Sequence, residues 1–226
     1  MIDDINNWKS QRLGKFTSSE IYKLMQQGRK KGELFGKGAL TYIREKVSEI
    51  LTGEEIKDLS GLNAIEWGHA NELDAIRSYQ DRMQIEYVTY YGGAYPNYIP
   101  FNKYSGGSPD AETETHCIEA KCPYSSQVHI DNLLGSLSAS PIEWMKVERS
   151  EHYCQLQFNM LLTGKVKGHY ISFDPRMVEE VDRLAIIEVV QDDKLIIELV
   201  ERLKSASKIA KEMLETIKKI TYEKST

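Results

Sequence analysis

The sequence predicts an α/β domain in which helices flank a central mixed β-sheet. Segments with helical spacing of apolar residues alternate with short strand-like segments, which is the pattern of a layered α/β fold. The chain has 226 residues, of which 41% are apolar, enough for a substantial core. Because no repeat, low-complexity tract or linker interrupts it, a single domain over residues 1–226 is expected.

Three helices are predicted in the first half of the chain. The first begins near Ser19, where a Thr or Ser hydroxyl can cap it. The second covers residues 38–51 and ends at the Thr-Gly pair that follows. The third covers residues 63–82, with apolar side chains at helical spacing.

The sheet and the remaining helices are predicted further along the chain. Strand-like segments cover residues 87–91, 95–99, 167–173 and 185–190. Helices are expected at 152–163 and, as one long closing helix, at 193–222. The Ser- and Leu-rich segment 131–147 receives no role from its sequence.

The charge pattern argues against a general nucleic-acid coat without excluding a nuclease. The formal net charge is −5, but basic residues need only cluster locally to follow a phosphate backbone. A solvated loop and a phosphate-tracking segment are equally compatible with the basic cluster, which comprises Lys23, Arg29, Lys30, Lys31, Lys37, Arg44 and Lys46.

Cysteine usage and hydropathy point to a reduced cytoplasmic protein, in the host cell if the chain is phage-encoded. The three cysteines form neither a disulfide framework nor zinc spacing, and the histidines show no ligand spacing. The acidic start of the chain argues against a secretory signal. No apolar window is long enough to span a membrane.

The segment from Ser108-Pro109-Asp110 to Glu119-Ala120-Lys121 carries the strongest chemical signal. Glu119 and Lys121 are two positions apart, so on a strand their side chains leave the same face. Asp110 lies nine positions before Glu119, across a polar run long enough to turn back as a hairpin. Converging carboxylates are suitable ligands for Mg²⁺ or Mn²⁺, and the adjacent ammonium can hold water or stabilise charge on phosphate. This is the PD-(D/E)xK pattern of metal-dependent nucleases, although an exposed cross-strand ion pair is the simpler alternative.

Two further sets of polar residues have open interpretations. Glu72, in the third helix, is either an ordinary helix charge or a third metal ligand. Gln155 and Gln157 fall on different faces of the helix at 152–163, so at least one should be buried or lie beside a polar site. A core glutamine with satisfied hydrogen bonds is the commoner case.

Taken in order, these segments resemble the phage lambda exonuclease family, also described as YqaJ-type viral recombinase nucleases. Six blocks between about residues 8 and 177 carry the resemblance: Trp8-Lys9-Ser10-Gln11-Arg12-Leu13-Gly14 with Thr17-Ser18-Ser19, Trp67-Gly68 with Glu72, Ser108-Pro109-Asp110, Glu119-Ala120-Lys121-Cys122-Pro123, Tyr153-Cys154-Gln155-Leu156-Gln157, and Phe173-Asp174-Pro175-Arg176-Met177. The resemblance implies a restriction-endonuclease-like core.

The family resemblance also implies an activity. It predicts an ATP-independent 5′→3′ exonuclease that digests the 5′-ended strand of linear duplex DNA to mononucleotides and leaves a 3′ overhang. The expected partners are double-stranded DNA ends, two further copies of the chain in a ring-shaped homotrimer, and a single-strand annealing protein.

Roles for individual residues follow from the same resemblance. Asp110, Glu119 and the backbone carbonyl of Ala120 would bind two Mg²⁺ ions, or Mn²⁺, with Glu72 completing the site. Lys121 would position or activate the attacking water. Arg12, Ser19 and Ser108 match positions that hold the 5′-phosphate, and Gln157 matches a helix residue that lines the active site. Gln127 is a departure, since the lambda enzyme has arginine there.

Two competing functions remain open from the sequence. A structure-specific or restriction-type endonuclease of the same superfamily would cut closed circular DNA and would not need a 5′-phosphate. A catalytically silent DNA-end-binding protein would be expected to have lost part of the Asp110, Glu119 and Lys121 set, which is intact here. An iron–sulfur nuclease is disfavoured, because three cysteines cannot supply four thiolate ligands.

Overall fold

The computed structural model describes residues 10–56, 62–92 and 97–223, with side chains described as far as residue 220. Its α-helices are α1 (Lys37–Thr52), α2 (Leu62–Met83), α3 (Ser126–Ser136), α4 (Pro141–Glu148), α5 (Ser150–Thr163) and α6 (Asp193–Glu223). Two 3₁₀ helices cover Ser18–Met25 and Glu180–Arg183. None of the helices in these ranges combines the length and the apolar character needed to cross a membrane.

The strands form two sheets. They are β1 (Phe16–Thr17), β2 (Thr89–Tyr90), β3 (Ile99–Asn102), β4 (Ser105–Gly107), β5 (Ala111–Glu112), β6 (His116–Lys121), β7 (Lys167–Phe173) and β8 (Leu184–Val190). The larger sheet has the order β2-β5-β6-β7-β8, and a small sheet has the order β1-β4-β3.

The larger sheet is mixed, as the sequence predicts. Strands β6 and β7 are parallel, whereas the β2/β5, β5/β6 and β7/β8 pairs are antiparallel. Parallel neighbours require a crossover connection, and α3, α4 and α5 supply it between β6 and β7. In the β6/β7 register Glu119 lies opposite Tyr170, and Lys121 lies opposite Ser172.

Alternation along β6 assigns its two faces to different helices. Ile118 and Ala120 join α2 in one apolar cluster, through Ala75, Ile76 and Tyr79. Cys117, on the opposite face, packs with residues of α4 and α5. Glu119 and Lys121 share the Cys117 side because strand side chains alternate between faces. The α5 helix therefore covers the face that carries the Glu-x-Lys pair.

A third apolar cluster connects the ends of the chain. Phe16, residues of the first 3₁₀ helix and of α1, and Phe158 of α5 pack against Leu199, Leu203, Ala206 and Ala210 of α6. Residues 199, 203, 206 and 210 are spaced three or four apart, so they form one stripe along the long helix.

Most of the predicted elements are present, with several differences. Residues 167–173 form β7 as predicted, and the long closing helix is α6. The predicted strand 87–91 is reduced to Thr89–Tyr90. Of the predicted strand 95–99, residues 95 and 96 lie outside the described residues, and β3 begins at Ile99.

The structure fills in one segment that the sequence left unassigned and corrects one prediction about local structure. Segment 131–147, which had no assigned role, forms most of α3 and α4, the latter with Pro141 in its first turn, where a missing N–H costs nothing. The helix near Ser19 is a 3₁₀ helix whose N-cap residue, Thr17, makes no side-chain capping hydrogen bond. The Thr17 hydroxyl lies instead 3.4 Å from that of Ser19.

Candidate active site

Glu119 and Lys121 form an ion pair at the end of β6. The Lys121 ammonium donates to Glu119 Oε1 at 2.5 Å, and the Glu119 side chain is fully buried. The other carboxylate oxygen, Oε2, accepts a hydrogen bond from Nδ2 of Asn159 on α5, at 2.9 Å. Both oxygens of a buried carboxylate are therefore held by donors, as burial of a charge requires.

Asp110 lies beside this pair because β5 and β6 form the predicted hairpin. Its Oδ2 accepts a hydrogen bond from the backbone N–H of Ala120 at 2.8 Å. Asp110 also interacts electrostatically with Glu119 and Lys121. The hairpin thus brings together two carboxylates that are nine positions apart in the sequence.

Glu72 reaches the same site from α2. Its Oε1 accepts a hydrogen bond from the Tyr90 hydroxyl at 3.0 Å. Burial, together with the negative charge of Asp110, raises the pKa of Glu72 to about 7. Glu72 is therefore neither isolated on its helix nor fully exposed.

The site places three carboxyl groups around one lysine. Burial and the neighbouring Asp110 raise the pKa of Glu119 to about 8, and burial also raises the pKa of Asp110. Burial alone would lower the pKa of Lys121, but the attraction of Glu119 and Asp110 outweighs it and raises that pKa. Because the three carboxyl groups resist ionising together beside a single ammonium, an additional bound cation would be favourable.

The carboxylates nevertheless already accept hydrogen bonds from protein donors. Within the described ranges, no group of three or more His, Cys, Asp or Glu side chains has an arrangement that could hold a metal ion directly. Asp110 is bound to Ala120 N, Glu119 to Lys121 and Asn159, and Glu72 to Tyr90. The expected set of ligands is close together, but it is not in a coordinating geometry.

The residues expected to hold a 5′-phosphate have different surroundings. Arg12 is partly buried, and this burial lowers its pKa against the raising effect of Glu55 and Tyr98. The Ser108 hydroxyl is buried and has no hydrogen-bond partner among the described residues. Ser19 is exposed at the start of the first 3₁₀ helix.

The small sheet connects this region to the carboxylates. A Cβ atom on Gly106 would lie 2.6 Å from the hydroxyl of Tyr98, and Tyr98 is near enough to Arg12 for the Arg12 charge to oppose the raising effect of burial on its pKa. A Cβ atom on Gly107 would lie 2.6 Å from Ser18 Oγ and 2.8 Å from Asn159 Oδ1. Strand β4 therefore lies between the Arg12 region and Asn159, the residue that binds Glu119.

The structure does not bring Gln157 to the carboxylates. Its Nε2 donates to Val190 O at 2.9 Å, and its Oε1 accepts from Asp192 N at 2.8 Å. These bonds attach α5 to the end of β8, and they occupy both the donor and the acceptor of the buried side-chain amide. Asn159, which sequence reasoning missed, is the α5 residue that contacts Glu119. Its only sequence signal is a polar side chain among apolar neighbours, four positions after Gln155.

Trp67 and the block Phe173-Asp174-Pro175-Arg176-Met177 belong to the family resemblance but carry no assigned role. They contact each other in the structure. Asp174 accepts from Arg176 Nε at 2.7 Å and Nη2 at 2.8 Å, a bidentate pair. The Arg176 guanidinium also donates to Tyr124 O at 3.0 Å and lies 4.3 Å from the Trp67 ring centre. The clamp formed by Asp174 and Arg176 therefore joins the end of β7 to the loop after β6 and to α2.

The basic cluster divides into two parts. Lys46 is buried and forms ion pairs with Glu49 at 2.9 Å and Glu20 at 3.4 Å, and Lys23 also pairs with Glu20. The other members are exposed, namely Arg29, Lys30, Lys31, Lys37 and Arg44. Only this second part is a solvated surface that could meet phosphate.

Comparisons with known proteins agree with the fold. An alkaline exonuclease from Laribacter hongkongensis, LHK-Exo, solved alone and in complex with dAMP, matches in both structures with a TM-score of 0.76 and 24% identity, over 96% of this chain and 98% of that chain. A phage-related exonuclease from Haemophilus somnus 129PT matches with a TM-score of 0.72 and 15% identity, over 90% of this chain and 96% of that one. No curated protein matches the sequence.

These likenesses show a shared fold, of the restriction-endonuclease-like type expected from the sequence. A family model gives the more specific result, because it matches residues 7–166, which include β6, the hairpin and α5. The chain belongs to the family of YqaJ-like viral recombinase domains.

Proposed function

We propose that this chain is a metal-dependent deoxyribonuclease that digests the 5′-ended strand of linear duplex DNA to mononucleotides and leaves a 3′ overhang. The observation that carries the proposal is the convergence of Asp110, Glu119 and Glu72 with Lys121 at the end of β6. Family membership supports a nuclease role for this set of residues.

The donor atoms are of the type that a divalent cation such as Mg²⁺ or Mn²⁺ prefers. Hard cations prefer carboxylate and carbonyl oxygens, and three carboxyl groups here share the single ammonium of Lys121. Asp110, Glu119 and the Ala120 carbonyl would hold such ions, with Glu72 completing the site. Divalent ions bound there would supply a water of lowered pKa and would neutralise charge that develops on the phosphate, as in two-metal nucleases.

The Ala120 carbonyl has a geometric argument of its own. In an antiparallel pair, the N–H and the C=O of a hydrogen-bonded residue face the same neighbouring strand. The Ala120 N–H donates to Asp110, so the Ala120 carbonyl is expected on the side of Asp110 as well. Lys121, held at 2.5 Å from Glu119, would orient water or a phosphate oxygen at the same edge.

We propose that the polar region around Arg12, Tyr98 and Ser108 recognises the DNA end. An arginine can bind two oxygens of a terminal phosphate, and Arg12 lies close to Tyr98 beside β4. The Ser108 and Tyr98 hydroxyls are buried without partners among the described residues, so each could donate to phosphate. Ser19 is a weaker candidate because it is exposed.

Other features of the proposal come from the family. LHK-Exo was solved with dAMP, a mononucleotide of the kind this activity would release. A homotrimeric ring, a single-strand annealing partner and action in the cytoplasm are proposed on the same basis. A ring would let exposed basic residues of several subunits line one channel while the outer surface stays acidic.

The test compares linear duplex with 5′-phosphate, linear duplex with 5′-hydroxyl and closed circular plasmid, each with Mg²⁺ or EDTA. We expect metal-dependent loss of only the 5′-phosphorylated strand, with mononucleotide product. Arg12→Ala should remove the preference for the 5′-phosphate. Arg44→Ala, which removes an exposed cation from α1, should retain it.

Two outcomes would change the proposal. Nicking or linearisation of the circle would place the chain among endonucleases and leave the Arg12 region without its proposed role. A 5′-phosphate preference that survives in Arg12→Ala would place the phosphate pocket elsewhere.

A further inference from the structure

The geometry points to Asn159 as the residue that positions Glu119 for metal binding, an inference that rests on the proposed nuclease function. Nothing in the family resemblance assigned this asparagine. It lies in α5, is fully buried, and donates from Nδ2 to Glu119 Oε2 at 2.9 Å.

Each oxygen of the Glu119 carboxylate accepts a hydrogen bond from a fixed donor. Lys121 binds Oε1, and Asn159 binds Oε2, so rotation of the carboxylate would break a hydrogen bond in either direction. Each carboxylate oxygen has two acceptor sites, and one on each oxygen remains for a metal ion or water. Partners of this kind orient ligands, and their loss typically costs about 10- to 100-fold in metal affinity.

The orientation of the Asn159 amide is itself determined by the site. Its Nδ2 must face the carboxylate, since an oxygen there would meet another acceptor. Oδ1 is then directed away from Glu119, and it is buried without a partner among the described residues. A buried acceptor without a partner costs stability. An asparagine with a purely structural role would gain nothing in return for that cost.

Strand β4 makes room for this arrangement. Any side chain at Gly107 would meet Asn159 Oδ1 at 2.8 Å and Leu162 Cδ1 at 2.8 Å. The glycine therefore lets the β4 backbone approach α5 at the turn that carries Asn159. Gln157, two positions earlier, is bound to β8 and has no equivalent contact with the carboxylates.

The experiment measures binding of Mn²⁺ alone by calorimetry, without DNA, to wild type, Asn159→Leu and Gln157→Leu. Both variants remove a buried amide from α5, but only one of these amides contacts Glu119. We expect Mn²⁺ affinity to fall about 10- to 100-fold in Asn159→Leu and to stay within about twofold of wild type in Gln157→Leu. If Asn159→Leu does not fold, Asn159→Ala, which adds no bulk, replaces it.

Kinetics separate a positioning role from a structural one. In Asn159→Leu the metal concentration for half-maximal cleavage should rise, with KM for DNA unchanged and activity recovering at high metal. A lower maximal rate with an unchanged metal requirement would instead indicate a reduced folded fraction and would overturn the inference.

Failure of this inference and failure of the proposed function give different results. Unchanged Mn²⁺ affinity in the Asn159 variant, with metal-dependent cleavage by wild type, would refute the role of Asn159 alone. Absence of cleavage by wild type, with a clear difference in Mn²⁺ affinity between the two variants, would refute the nuclease function and leave Asn159 as a metal-site residue.

Discussion

At the scale of single residues, the site concentrates like charges that oppose one another. Asp110, Glu119 and Glu72 all have raised pKa values: burial raises all three, and the charge of Asp110 raises those of Glu119 and Glu72 further. Such repulsion costs folding free energy in the metal-free protein, as is common where function requires a strained arrangement.

Asp110→Asn should separate activity from stability. The amide oxygen can still accept from Ala120 N, while one negative charge is removed from the cluster. We expect DNA cleavage to fall at least about 1,000-fold, while the free energy of unfolding in EDTA stays equal or rises. Denaturant unfolding and a cleavage assay measure the two effects.

Glu112→Gln is the matched control for Asp110→Asn. Glu112 lies two positions further along, in β5, and its carboxylate accepts from the Tyr91 hydroxyl at 2.8 Å. Cleavage should persist in this variant. If Asp110→Asn also retained full cleavage, its proposed role as a metal ligand would be lost.

Lys121→Met tests whether the ammonium acts in the chemical step. The variant keeps an apolar stem of similar length and removes the charge that pairs with Glu119. We expect kcat to fall much more than DNA affinity, because the ammonium is proposed to act on the reacting groups. Single-turnover rates and a DNA-binding isotherm give the comparison, and equal losses would indicate a binding role.

At the scale of elements, the clamp of Asp174 and Arg176 holds three segments in place. It joins the end of β7, the loop after β6 and Trp67 of α2, the helix that also carries Glu72. Burial would raise the pKa of Asp174, but hydrogen bonds from Arg176 lower it to about 2. A depressed carboxyl pKa stabilises the fold above the unfolded-state pKa of about 3.9.

Asp174→Asn should therefore destabilise the protein in a pH-dependent way. The loss should be about 2 kcal/mol between pH 5 and 7, should shrink as pH falls below about 4 and should vanish near pH 1, below the pKa of Asp174 in the folded wild type. Denaturant unfolding across this pH range measures it. Asp74→Asn, which removes an exposed ion pair with Arg77, should cost about 0.5 kcal/mol or less. A constant difference at all pH values would contradict the electrostatic origin.

At the scale of the whole molecule, α6 anchors the N-terminal third of the chain. Arg202 is buried in α6 and donates to Leu24 O at 3.0 Å and Leu34 O at 2.7 Å, across more than 160 positions of sequence. These carbonyls flank the exposed basic residues Arg29 to Lys31. The contact therefore couples the longest helix to the surface proposed to meet DNA.

Arg202→Met should loosen this connection. Two carbonyls would lose a charged donor, and we expect a loss of about 3 kcal/mol in the free energy of unfolding. Hydrogen exchange should accelerate between residues 24 and 36 more than in β6 or β7. Lys204→Met, which removes an exposed lysine from the same helix, is the control. Uniform acceleration across all segments would argue against a local anchor.

The sequence by itself determined the parts of this protein that depend on local spacing. Alternation along a strand places Glu119 and Lys121 on one face, a polar run closes the hairpin with Asp110, and apolar periodicity defines α2 and α6. Two of the strongest residue predictions, Asp110 and Glu119, needed only these rules.

Only the tertiary structure decided which distant residues serve those carboxylates. The sequence leaves the role of Glu72 open and marks Asn159 only as polar. The family resemblance places Gln157 at the site, whereas in the structure its side chain binds the backbone at the end of β8. Helical spacing defines a face, but not which strand or helix packs against it. That choice follows from how the whole core packs, and here the packing of α5 between β4, β6 and β8 turns Asn159 toward Glu119 and Gln157 away from it.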